Sequence, residues 1–186
     1  MTTGAAGDRT DRHAVDATAH ADLLAGYAPV TVISNAAIFL PAYVLALTQG
    51  SGQFSSTGGG NRFGAWLLDA SSQEQISGWF ILPTGWATFH VDLYWSNFAA
   101  GSGNVVWQPT YSVVADTVSL SAGDVTGTKT TVAAPAQDVL KVTRIMTSIT
   151  AAVGVWHIRL PRVAADGGDT LANDAEVIGL LVSKAS

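Results

Sequence analysis

Between Ala87 and Trp95 apolar and polar residues alternate one for one. Ala87, Phe89, Val91, Leu93 and Trp95 interleave with Thr88, His90, Asp92 and Tyr94. A period of two sends neighbouring side chains to opposite faces, which describes a strand with one face buried and excludes a helix. The same reading extends along the chain. Phe63–Leu68 and Ile76–Leu82 read as strands joined by a hairpin turn over Asp69-Ala-Ser-Ser-Gln. Val105–Val114, Thr128–Val132, Leu140–Ile149, Val153–Leu160 and Glu176–Val182 add more. Trp156, Ile158 and Leu160 share one face of their strand, His157 and Arg159 the other. Many short strands with turn residues between them predict an all-β chain folded as an antiparallel, jelly-roll-like sandwich. Two short helices are expected, over residues 13–25 and where Asp169 or Thr170 caps a turn through Asp174.

Composition narrows the function. Charged residues make up 12% of the 186 and apolar ones 48%, about half the usual share of charge. The net charge is −5 with nine Lys and Arg, which argues against a partner with a phosphate backbone, so no nucleic acid is expected. There is no cysteine, so thiolate catalysis, disulfides and cysteine-ligated metals are excluded. Met1-Thr-Thr-Gly-Ala-Ala-Gly-Asp-Arg-Thr has no basic segment leading into an apolar run, so no secretory signal is expected. The longest apolar run, Ala36 to Leu47, contains Pro41 and spans twelve residues. A bilayer span needs about 20, so no membrane span is expected.

Charge also divides the chain. Residues 1–22 are polar, and residues 23–61 carry no charge and end in a Gly/Ser cluster before Asn61. The predicted organisation is an extended N-terminal arm for anchoring and assembly over 1–61 and a sandwich body over 62–186. Phe39, Tyr43, Val44, Leu45 and Leu47 would be poor company for water on a free arm. They are expected to pack between subunits, as an assembly interface, or under the sandwich.

The body resembles the small β-sandwich virion proteins of tailed bacteriophages, of the head-fibre and capsid-decoration type. The resemblance rests on Phe63-Gly-Ala-Trp-Leu-Leu, Trp79-Phe-Ile-Leu-Pro-Thr-Gly-Trp, Phe89-His-Val-Asp-Leu-Tyr-Trp-Ser, Gly103-Asn-Val-Val-Trp and the stretch from Val155 to Val182. It implies a virion protein on the capsid surface rather than the tail. Its partners would be two further copies of itself in a homotrimer and the major capsid protein or other virion proteins. Two alternatives belong to different classes. One is a head or tail adsorption module that contacts host surface polysaccharide. The other is a free carbohydrate-binding domain.

Candidate sites are few. Of six tryptophans, Trp95, Trp107 and Trp156 fit the core by alternation, whereas Trp86 follows Pro83-Thr-Gly and is expected on a loop. An exposed indole is apolar in body and polar at its edge, which suits a sugar ring, so Trp86 is the predicted glycan contact. Asp166, Asp169 and Asp174 lack the spacing of a calcium loop. The four histidines show no ligand spacing. Asp69, Glu74, Asp92 and Glu176 are not paired by any motif, and no nucleophile elbow, phosphate loop or His-Glu-x-x-His helix is present. No enzyme, cofactor or metal is expected.

Overall fold

The computed structural model describes residues 31–34, 36–55, 64–119 and 123–186. Among them fourteen strands form, and the predicted all-β architecture is correct. In chain order they are β1 (Thr31–Ser34), β2 (Ala37–Pro41), β3 (Ala46–Gln49), β4 (Gln53–Ser55), β5 (Ala65–Leu68), β6 (Glu74–Ile81) and β7 (Thr88–Asn97). Then come β8 (Asn104–Trp107), β9 (Thr110–Val114), β10 (Val125–Thr126), β11 (Thr130–Ala133), β12 (Lys141–Thr150), β13 (Val155–Arg162) and β14 (Ala175–Lys184).

Two antiparallel sheets face each other. The first is organised on β14. On one side β14 pairs with β7, which carries β12. On the other it pairs with β2 and then with β5, which carry β1 and β4. The second is organised on β13, with β6 and β3 on one side and the pairs β9–β10 and β8–β11 on the other. The inward residues of β7 and β13 meet between them. Phe89, Val91, Leu93 and Trp95 are buried against Trp156, Ile158 and Leu160, each worth about 1.5–3 kcal/mol of transfer from water. Trp95 packs edge-on to Trp107 with ring centres 5.5 Å apart. Its indole N–H donates to the Thr143 hydroxyl at 2.9 Å, so the polar edge of a buried ring is satisfied.

The sandwich does not begin at residue 62. Residues 37–49 and 53–55, which fall in the predicted arm, supply β2, β3 and β4 to the sheets. Ile38 and Leu40 point into the core from β2. Pro41 ends that strand, and a 3-10 turn at Ala42–Val44 carries the chain from one sheet to the other. The Trp66 indole N–H donates to the carbonyls of Ala42 and Leu45, at 2.9 and 3.0 Å, and clamps the crossing. The apolar, uncharged stretch therefore reflects two strands and a crossover packed in their own domain. Its alternation is too short on either side of Pro41 to stand out as strands.

Three further expectations change. The Asp69–Gln73 segment is no hairpin, because β5 and β6 lie in different sheets. Asp69 accepts from the Ser71 N–H, which tightens the turn, and its own N–H donates to Glu74 Oε2 at 2.6 Å. Val105–Val114 divides into β8 and β9 at Gln108-Pro109, where proline has no N–H to give to a ladder. Residues 169–174 form no helix, because Asp169 is engaged elsewhere. The helix expected over 13–25 lies outside the described residues.

Asp169 holds Arg162, whose side chain is fully buried. The guanidinium donates to both Asp169 oxygens, at 2.8 and 3.1 Å. It also donates to the carbonyls of Leu68, Asn173 and Leu171 at 2.6–2.9 Å. These five bonds match the five N–H donors of arginine. Asp169 Oδ2 accepts the Val106 N–H at 3.1 Å as well. One buried ion pair thus ties the loop after β13 to strands of both sheets.

Candidate functional site

The outer face of the second sheet carries the most exposed aromatic surface placed within a strand. In β6, Ile76 and Phe80 are buried, so the alternate residues Trp79 and Ile81 point outward. They are 54% and 68% exposed. Antiparallel register sets Trp79 opposite His157 and Ile81 opposite Val155 on β13. Beyond β13, His157 faces Ser112 and Val155 faces Val114 on β9.

Trp79 and His157 stack with ring centres 3.9 Å apart and planes 11° from parallel. Burial holds the His157 pKa below its ordinary value, so the imidazole is neutral at neutral pH. A neutral ring against the indole makes a flat plate of two heterocycles. Ile81 and Val155 extend the plate on one side. On the other, Arg159 sits opposite Ser77 and Thr110 and pairs with Asp124. The result is a shallow, amphipathic face with its cation already neutralised. It can stack against an amphipathic ring while the Arg159–Asp124 ion pair borders the contact.

The predicted contact, Trp86, does sit outside the strands, but it is only 8% exposed and joins the core cluster. Gly85, at φ +83°, reverses the chain just before it, and the indole packs into the core rather than onto the surface. A turn sequence locates the backbone at the surface and leaves the direction of the side chain open. Trp79 was legible only by parity, since it shares the outward set of Ser77 and Ile81.

The five residues expected at an assembly interface divide. Leu45 is buried, and Val44 and Leu47 pack against this chain's own core, as one of the two expectations had it. Phe39 lies edge-on to Tyr94, ring centres 5.6 Å apart, on the outer face of the first sheet. It covers Gly179, where an added Cβ would sit 2.7 Å from the Phe39 ring. Tyr43 alone is largely exposed, at 65%.

The carboxylates serve separate structural roles. Asp92 pairs with Arg144 through two bonds of 2.8 and 2.9 Å. Glu74 is buried and accepts the Ser51 N–H and the Asp69 N–H. Asp166 pairs with Lys129 at 2.5 Å, and Glu176 is buried. Burial, followed by the neighbouring Asp69, raises the Asp174 pKa. Among the described residues no three metal-ligating side chains converge. His90 accepts the Ser148 N–H on Nδ1 at 3.0 Å.

No protein-family model matches this chain and no curated protein matches it. Several solved structures share its fold. One is the CBM36-1 domain of a multidomain xylanase from the hindgut metagenome of Trinervitermes trinervoides. It has TM-score 0.53 and 15% identity, covering 81% of this chain and 98% of that one. Another is the isomalto-dextranase of Arthrobacter globiformis T6, solved with panose. It has TM-score 0.55 and 16% identity over 80% of this chain and 23% of the enzyme. A third is the GH26-CBM35 β-(1,4)-mannanase of Podospora anserina, with TM-score 0.52 and 10% identity over 82% of this chain. The chain spans only 28% of that mannanase. At these identities the likeness is one of fold alone: a sandwich of two antiparallel sheets.

Proposed function

We propose that the chain is a glycan-binding module that uses the Trp79–His157 face to stack on the sugar rings of a polysaccharide. The observation that carries the reading is a tryptophan in the middle of a strand with 54% of its surface in water. Exposed large apolar groups that cluster, as Trp79 does with Ile81 and Val155, mark interaction surfaces. The folds it shares support the choice of ligand, since two of the neighbours carry carbohydrate-binding modules in their names and a third was solved with a sugar. The test is retention on insoluble xylan, mannan and dextran. The wild-type chain is expected to be held by at least one of them and Trp79→Ala to be released, whereas Trp86→Phe should bind as before. Equal retention of Trp79→Ala and wild type would overturn the reading.

A second reading draws on Val139, Leu140 and Val142, which are exposed along edge strand β12 and its approach. Such an apolar edge suits a protein partner, as the virion reading requires: a homotrimer set against capsid proteins. Light scattering at three times the chain mass is its expected result.

A further inference from the structure

The two sheets are not closed along every edge. Among the described residues, strand β12 pairs only with β7, and β10 pairs only with β9. Between these two edges lies a groove of about 300 Å³, the lower end of the range for small-ligand sites (about 300–1,000 Å³). Its walls are hydroxyl-rich, with Thr126 and Thr128 from one sheet's edge and Thr147 from the other's. Ile149 and Tyr111 contribute apolar surface.

The backbone at this groove is irregular. β12 shifts register against β7 twice, between Arg144 and Met146 and again between Met146 and Ile149. Within the second shift Ser148 adopts a left-handed φ of +51°, and its N–H is held by His90 Nδ1 at 3.0 Å. Bulges of this kind bend an edge strand and redirect its side chains, and they collect at binding sites. The charge pattern is equally specific. Arg144 is the charged residue lining the groove, and Asp92 on β7 neutralises it through two parallel bonds. Such a wall has no net charge to offer an anion, while its threonine hydroxyls and strand edges offer hydrogen bonds.

We infer that the groove between β12 and β10 is a second glycan site, which takes the end of a short neutral oligosaccharide. The proposal rests on the glycan-binding reading but not on the Trp79 face. It gives the module two contacts, one a flat face and one a groove. Linked contacts raise apparent affinity for a polymer well beyond that of either alone.

Titration of the full chain with xylotriose, mannotriose and panose at millimolar concentration, followed by amide NMR, separates the two. The expected result is that at least one trisaccharide moves the amides of Thr126, Thr128, Thr147 and Ser148, with a midpoint distinct from the Trp79 indole signal. Thr147→Trp fills the groove from an exposed position and should weaken that set at least about tenfold, leaving the Trp79 signal intact. Thr128→Tyr serves the same end should Thr147→Trp not fold. Groove shifts that persist in Trp79→Ala support the inference even if the flat face binds nothing. No groove shifts with any of the three sugars, or groove shifts that vanish with Trp79→Ala, would overturn it. A Trp79 signal alone would leave the proposed function standing and sink the second site.

Discussion

Strands β6 and β13 form one ladder with two unlike ends. At one end Arg162, opposite Glu74, is a charged residue with no exposure. Towards the other, Trp79 is a large aromatic opposite His157 and half in water. Both reverse the usual partition of polar and apolar groups. The Arg162 reversal is explained within the molecule, since each donor has an acceptor and the pair anchors a loop. The Trp79 reversal has no such account. No strand or loop of the described residues covers it, and its stack with His157 leaves most of the indole in solvent. Buried charge here serves the fold, and exposed aromatic surface serves a partner.

The comparison can be broken by substitution. Arg162→Leu should destabilise by about 3–5 kcal/mol, because Asp169 is left buried and unpaired. Chemical denaturation, or failure of the variant to fold, reads this out, and a loss under about 1 kcal/mol would show that the pair is not structural. Trp66→Phe should lose about 1 kcal/mol by removing the indole donor from the Leu45 and Ala42 carbonyls, of which Ala42 keeps the Leu45 N–H. Its denaturation midpoint checks the clamp between the sheets. Trp79→Ala should cost no more than about 1 kcal/mol, the ordinary worth of an aromatic pair, and yet lose polysaccharide retention. Stability and binding would then separate at one end of the ladder and not at the other.

Acidity sharpens the same contrast. In the unfolded chain His157 takes up its proton near pH 6.5, and in the folded chain only at lower pH. The unfolded state therefore binds more protons between these two values, and stability falls as pH drops through that window. His157→Phe should flatten this part of the stability profile while keeping a ring against Trp79. At the Arg162 end the sign is opposite. Asp174 holds its proton to higher pH folded than unfolded, so its ionisation lowers stability as pH rises above 3.8. Asp174→Asn should raise the midpoint at neutral pH and not at low pH. The change should stay within about 0.5 kcal/mol because solvent reaches the group and screens it.

Much of this was written in plain alternation. Strands β6, β7, β12, β13 and β14 fall within a few residues of their predicted bounds, because each runs eight to ten residues, long enough for its apolar pattern to register. Strands β2, β3 and β4 have three to five residues each, too few for a pattern, and their lack of charge suggested an interface. Hairpin and crossover also look alike in sequence. Asp69–Gln73 has the residues of a tight turn, and only the partners of β5 and β6 decide which it is. The site was harder still. Trp86 and Trp79 lie seven residues apart in one aromatic stretch, and exposure follows from which face of a strand each one meets. Strand parity would place Trp79 beside Ile81 on one face, but nothing local shows that this face stays uncovered.

The placing of β14 bears on how the molecule comes into being. It neighbours β2, β5 and β7, whose partners begin at residue 37 and end at residue 97. During synthesis those three strands emerge long before the one that joins them. Until residues 175–184 leave the ribosome the first sheet has no centre, and its half-built edges are open to wrong pairings. Closure across so long a loop is slow, and exposed strand edges in the interval invite aggregation. A nascent chain arrested before β14 should bind chaperones and resist protease poorly, and release of the finished strand should end both at once.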